Sequence, residues 1–243
     1  AARLSRSRSL GDGKRMSLFG ALRGGLIVSV QAWPGSAMDD PYVIAAMARA
    51  AVDNGAAGVR IQGVSNIEAV RARVNLPIVG LIKRQYPGYE PYITPTLEEV
   101  REIVAAGADI VAFDATARPR PGGATVASLI QAIAGAGRIA MADCATAQDG
   151  ALARDAGAEI LATTLCGYTP GTQGTALPAL DLVRELAAMG RFAVCEGGVS
   201  RPAAVREALD AGAGAVVVGT AITNLDWLVR EFAGSADTRP KPH

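Results

Sequence analysis

The sequence predicts a single large α/β domain, a (β/α)8 TIM barrel of the phosphate-binding type. Three observations carry that expectation. Short apolar runs alternate eight times with Ala-rich amphipathic segments from Gly24 onward. The runs are continuously apolar, as strands buried on both faces of a parallel sheet require. A helix-ending glycine leads into every second strand, about 50 residues apart, in NGAAGV (54–59), AGADIV (106–111), AGAEIL (156–161) and AGAGAV (211–216).

Taken in order, residues 1–15 are rich in Ser, Arg and Gly and lack the apolar core of a secretory signal. They are expected to be a disordered basic extension or cloning remnant, with Met16 a natural start. The barrel is expected over 16–234, with a tail over 235–243. The strand candidates are GLIVSVQA (25–32), GVRIQG (58–63), PIVGLIKR (77–84), IVAFDAT (110–116), RIAMADC (138–144), EILATTL (159–165), FAVCEGG (192–198) and GAVVVGTA (214–221). Each precedes a helical pattern, such as DPYVIAAMARAAVDNG after the first and RPAAVREALDAG after the seventh. Gly55, Gly107, Gly157 and Gly212 suit the left-handed position that closes a helix. The quarters so marked fit the length and repeat of an eightfold barrel. A doubly wound open sheet fits less well, because residues 32–41 carry no GxGxxG.

Composition narrows the chemistry. The chain has 243 residues, half of them hydrophobic, and a formal net charge of +1. Residues 1–15 hold Arg3, Arg6, Arg8, Lys14 and Arg15 against Asp12, so the rest is slightly acidic and offers no nucleic-acid surface. No apolar run reaches the roughly 18 residues of a membrane span. Cys144, Cys166 and Cys195 are widely spaced and odd in number, which suits reduced cytoplasmic thiols better than a disulfide framework or a CxxC metal site. The single histidine is the final residue, His243. Chemistry in the folded body therefore falls to Lys, carboxylates, Arg, Tyr or Cys, and no metal or cofactor is expected.

Lys83 stands out. The chain has three lysines, and Lys14 and Lys241 lie near the termini. A chain that otherwise prefers arginine places its interior lysine at a strand end, where an amine that can lose its proton is useful; arginine cannot do this. The competing reading is a lysine whose stem packs while its head reaches water. Catalytic groups in barrels cluster at the C-terminal ends of strands. The reactive residues at those ends are Gln31, Arg60, Gln62, Lys83, Asp114, Asp143 and Glu196. Asp114 has a purely structural reading as an ion pair with Arg118 or Arg120. Gly197-Gly198 after strand seven and Gly219-Thr220-Ala221 after strand eight occupy the positions where barrels bind phosphate through backbone amides. A phosphorylated small molecule is the expected ligand class.

These residues carry a resemblance. From about Gly24 to Phe232 the chain resembles the N-acetylmannosamine-6-phosphate 2-epimerases of sialic-acid catabolism. The stretches concerned are VSVQA, VRIQGVSNIEAVR, PIVGLIKR, ADIVAFDATARPRP, MADCAT, AEILATTLCGYT, CEGGV and VVVGTAIT, in the same order. The resemblance implies that Lys83 moves the C2 proton and that Glu196 works with it. It implies that Gln31, Arg60 and Asp143 hold the sugar and organise the site. Gly198, Gly219 and Thr220 would cradle the phosphate. One departure is Asn224, where the family's AITR pattern has arginine; losing that charged fork bears on affinity or substrate preference.

The expected activity is cofactor-independent interconversion of N-acetylmannosamine 6-phosphate and N-acetylglucosamine 6-phosphate through an enediolate. Lys83 would be the base with a depressed pKa, and Arg60 would stabilise the developing oxyanion. Two other readings stand beside it: a Schiff-base aldolase using Lys83, and a sugar-phosphate binding protein without turnover. Homodimerisation through Trp227 and Phe232 in the last helix is set against burial of those rings on the barrel. The loop holding Tyr86, Tyr89 and Tyr92 reads equally as a lid or as an ordered flap.

Overall fold

The computed structural model describes residues 12–236. The expectation for residues 1–11 and for most of the C-terminal tail lies outside the described residues. The chain forms α1 (Asp12–Leu22), β1 (Gly25–Val30), α2 (Pro41–Asp53), β2 (Gly58–Gln62), α3 (Val64–Arg71), β3 (Ile78–Leu81), α4 (Leu97–Ala105), β4 (Ile110–Asp114) and α5 (Val126–Gly135). It continues through β5 (Ile139–Asp143), α6 (Ala147–Asp155), β6 (Ile160–Ala162), α7 (Leu180–Ala188), β7 (Phe192–Glu196), α8 (Pro202–Asp210), β8 (Ala215–Val218), α9 (Thr220–Thr223) and α10 (Leu225–Ala236). The strands pair in sequence order, β1 closes on β8, and every pairing is parallel. The eightfold barrel read from the sequence is the fold.

Each observed strand is shorter than its apolar run, because the run's last residues leave the sheet to build the mouth. Gln31 follows β1 and Lys83 follows β3. The helices obey local chemistry. Asp40 caps α2, accepting from the amides of Tyr42 and Val43, and Thr96 with Glu99 forms a reciprocal capping box on α4. Gly55, Gly107, Gly157 and Gly212 all take positive φ, between 96° and 106°, as the helix-closing positions demanded.

Two layers of core result. Alternate strand residues such as Ile27, Ile110, Ile139 and Met141 fill the barrel interior, while the others pack outward against the helices. The N-terminal end is plugged by α1. Leu18 and Leu22 are buried with Phe192 and the first residues of several strands, Phe19 stacks near Phe192, and Arg15 pairs with Glu159. This corrects one boundary. Residues 12–15, assigned to an extension by their polar composition, belong to the helix whose Leu18 and Leu22 close the barrel. At the other end α10 runs to Ala236, so residues 235 and 236 continue the last helix.

Candidate active site

A cavity of about 490 Å³ opens at the C-terminal mouth of the barrel, a size suited to a small ligand. Seven of the eight expected site residues line its wall: Gln31, Arg60, Lys83, Glu196, Gly198, Gly219 and Thr220. Asp143 is fully buried behind that wall. Gln62 lies outside the lining, and Asp114 is buried in ion pairs with Arg118 (2.8 Å) and Arg120 (3.2 Å), its structural reading.

Arg60 organises the polar centre. Its side chain rises from β2 into the barrel interior and is 1% exposed. Asp143 on β5 accepts both ends of its fork, at 3.2 Å and 2.7 Å, and Glu196 at the end of β7 sits 3.1 Å from the same guanidinium. A buried cation needs such compensation, and bidentate geometry supplies it. Burial works against the charge on Arg60, but Asp143 and Glu196 more than offset it and keep the guanidinium protonated. The Thr164 hydroxyl lies between Asp143 Oδ1 (2.7 Å) and Glu196 Oε2 (3.3 Å), completing a network across three strands.

Two groups face this network with displaced proton affinities. Lys83 reaches solvent through the mouth, yet protein atoms surround it on the cavity walls. That loss of water lowers its pKa, the Arg60 charge lowers it further, and Glu196 and Asp143 only partly oppose them. Among the described residues no carboxylate comes close enough to Lys83 to form an ion pair. Glu196 moves the other way. Burial first, and then the Asp143 charge, push its carboxyl up to about 7 against the pull of Arg60, Lys83 and Thr164. Strands three and seven stand opposite in a closed ring of eight. The two groups therefore project from facing walls, one shifted down and one shifted up, an arrangement suited to moving protons at neutral pH.

The β7–β8 side of the mouth differs in character. Gly197 and Gly198 both have positive φ, and a Cβ on Gly198 would meet Leu177 Cβ at 2.3 Å. The Gly219 carbonyl accepts from the amides of Ile222 and Thr223, so α9 starts at Thr220 with its first amides lacking a carbonyl behind them. Asn224 lines the cavity and its Oδ1 accepts from the Trp227 amide at 3.0 Å, which caps α10. Gln31 donates to Ser29 Oγ (2.7 Å), leaving its Oε1 buried without a partner and able to accept from a ligand.

Three contributors escaped the sequence reading. Thr164 was an unremarked residue within AEILATTLCGYT, and Trp33 with Trp227 forms an aromatic rim. Arg230 stacks over Trp33 at 5.3 Å and Ser36 bonds Asp226 at 2.6 Å, tying α10 to the loop after β1. A threonine hydroxyl has no sequence signature until its neighbours are known.

A closed parallel barrel whose C-terminal mouth gathers a lysine and a carboxyl with oppositely displaced pKa values beside paired glycines has the architecture of a barrel enzyme acting on a small molecule. The chain belongs to the family described as "NanE: Putative N-acetylmannosamine-6-phosphate epimerase", whose profile matches residues 44–238. It is 49% identical over 211 residues to the "Putative N-acetylmannosamine-6-phosphate 2-epimerase" of Yersinia pestis (strain Pestoides F), covering 87% of this chain and 89% of that protein. The same-named protein of Yersinia pseudotuberculosis serotype O:3 is 48% identical over the same shares. The solved N-acetylmannosamine-6-phosphate 2-epimerase of Clostridium perfringens superposes with a TM-score of 0.86 at 35% identity, covering 97% of this chain and all of that one. Tryptophan synthase α-subunit from Pyrococcus furiosus, at TM-score 0.60 and 18% identity, shares the fold alone.

Proposed function

We propose that this site interconverts N-acetylmannosamine 6-phosphate and N-acetylglucosamine 6-phosphate by removing the C2 proton and returning one to the opposite face. The chain is a carbohydrate epimerase by family, and the observation supporting the mechanism is the facing pair of Lys83 and Glu196 with oppositely displaced pKa values. Gly198, Gly219 and Thr220 hold the phosphate through backbone amides. Gln31 accepts from the sugar. Arg60, with its fork held by Asp143, fixes Glu196 and keeps Lys83 poised toward the neutral amine, a positioning role more than direct contact with an oxyanion.

The open-chain aldehyde acidifies the C2 hydrogen, Lys83 takes it, and the electron pair moves into the C1–C2 bond and onto the C1 oxygen. The Glu196 carboxyl then delivers a proton from the other wall. Running in reverse, Glu196 takes the proton and Lys83 returns it. Both directions need one proton shared by the pair, which a carboxyl near 7 and a lowered lysine allow. Positioned proton transfer contributes about 10²- to 10⁴-fold to rate. Proton NMR of N-acetylmannosamine 6-phosphate in D₂O tests this. The wild type is expected to form N-acetylglucosamine 6-phosphate with deuterium at C2, and Lys83→Ala to fold normally without exchange. Product without C2 deuterium, or borohydride trapping of substrate on Lys83, would replace epimerisation by proton transfer with the Schiff-base reading.

A homodimer and a cytoplasmic location complete the proposal. No helix among the described residues is long and apolar enough to cross a membrane. All three cysteines are free and buried, which suits a reducing compartment. Ile222, Leu225, Val229 and Phe232 expose an apolar stripe along α9 and α10, and α10 buries none of its residues. A second copy presenting the same stripe would cover it. Of the two rings for which dimerisation was set against burial, Trp227 lines the cavity while Phe232 is exposed.

A further inference from the structure

The oxygen that becomes negative needs a positioned hydrogen-bond donor. Arg60 was the expected donor, but Asp143 and Glu196 occupy its terminal nitrogens. Tyr92 lines the same cavity from the loop that follows Lys83. This loop is an ordered flap. Arg84 pairs with Glu99 (2.8 Å) and Glu102 (3.2 Å), and the Tyr86 hydroxyl bonds Glu99 at 2.6 Å, fixing the loop's outward half to α4.

The returning half is held more tightly. Ile93 bridges Lys83 in antiparallel fashion, the Arg84 amide donates to the Tyr92 carbonyl (2.9 Å), and the Thr94 amide donates to the Ile82 carbonyl (2.7 Å). Thr94 is fully buried with φ of 45°, and is the non-glycine residue with positive φ among those described. Its hydroxyl donates to the Ala112 carbonyl at 2.7 Å, which holds the backbone in this unfavourable region. A strained, buried and pinned threonine two residues beyond Tyr92 keeps that tyrosine at the mouth beside Lys83, and strain of this kind concentrates at functional sites. The Tyr92 ring packs on the barrel interior, and among the described residues its hydroxyl makes no side-chain hydrogen bond.

Resting on the epimerase reading above, we propose that Tyr92 is a catalytic residue whose hydroxyl donates a hydrogen bond to the substrate's C1 oxygen as it becomes the enediolate. With the phosphate at the β7–β8 corner, a six-carbon chain reaching into the mouth sets C2 between Glu196 and Lys83 and directs C1 toward the wall where Lys83 and Tyr92 stand. When Lys83 removes the C2 proton, the C–H electron pair becomes the C1–C2 double bond and the carbonyl pair localises on O1. Tyr92 keeps its proton and only shares it. Burial, reinforced by Asp143 and Asp114, raises the phenol's pKa despite Arg60 and Arg118, so the hydroxyl is a donor throughout the working range.

Tyr92→Phe keeps the ring and its packing and removes only the donor. Epimerisation followed by NMR in D₂O is expected to show kcat lower by about 10²- to 10³-fold, as for loss of one oxyanion donor, with KM nearly unchanged. C2 deuterium exchange should slow in parallel. Wild-type kcat in Tyr92→Phe, or a raised KM at unchanged kcat, would overturn the proposal, since the hydroxyl would then be idle or bind ground and transition states alike. Absence of exchange in the wild type would instead overturn the epimerase reading.

Discussion

Arg60 shows how one residue sets the chemistry of several others. It is nearly inaccessible, holds Asp143 with both ends of its fork, and reaches Glu196 at 3.1 Å. Its charge lowers Lys83 and partly restrains the rise of Glu196. The rise of Glu196 has a stability consequence with a definite sign. A carboxyl at about 7 in the fold and at 4.5 when free binds more protons folded than unfolded between those values. Stability from this group is therefore full below 4.5 and is lost as pH rises through that window. Glu196→Gln removes the titration. The melting temperature of this variant relative to wild type is expected to increase from below 4.5 to above about 7, measured by calorimetry at several pH values. A pH-independent difference would show that Glu196 titrates normally. Lys83 and Glu196 were both legible as strand-end candidates, the lysine more sharply because lysine is scarce; the opposing shift of Glu196 was not, because burial and the Asp143 charge arise from other strands.

At the scale of elements, the turns after β7 and β8 are built by exclusion of side chains. Gly198 has φ of 72°, and any Cβ there would collide with Leu177. Gly198→Ala must displace the backbone that lines the proposed phosphate corner. The expected result is a several-fold rise in KM for the phosphosugar, exceeding the change in kcat, with a stability loss of about 1–3 kcal/mol typical of overpacking. Steady-state kinetics with thermal melts checks both; an unchanged KM would remove Gly198 from phosphate binding. The helix-closing glycines and the eight apolar runs were readable from local pattern, since helix closure and strand burial depend on adjacent residues. The return of the Tyr86–Tyr92 loop was not, because its pins, Glu99 and the Ala112 carbonyl, lie on α4 and β4.

For the whole molecule, α1 and α10 occupy opposite situations. The first plugs the barrel's N-terminal end through Leu18 and Leu22; the second exposes Val229 and Phe232 while tying Trp33 and Ser36 to the rim. Phe232 is 75% exposed, so Phe232→Glu adds no cost to an isolated barrel. Light scattering after size-exclusion chromatography is expected to show a dimer for the wild type and a shift toward monomer for Phe232→Glu, and two monomeric proteins would refute the proposed interface.

Sequence by itself determined the eightfold βα repeat and the barrel class, and singled out Lys83 and the glycine pairs as candidates, because burial periodicity, helix closure and residue scarcity are properties of neighbouring positions. Tertiary structure alone decided that Asp143 stands behind Arg60, that Asp114 serves an ion pair, that Thr164 joins two carboxylates, and that Tyr92 returns to the mouth. Closing the sheet brings the ends of distant strands within a few ångströms of one another, and electrostatic coupling depends on that distance, which no spacing along the chain records.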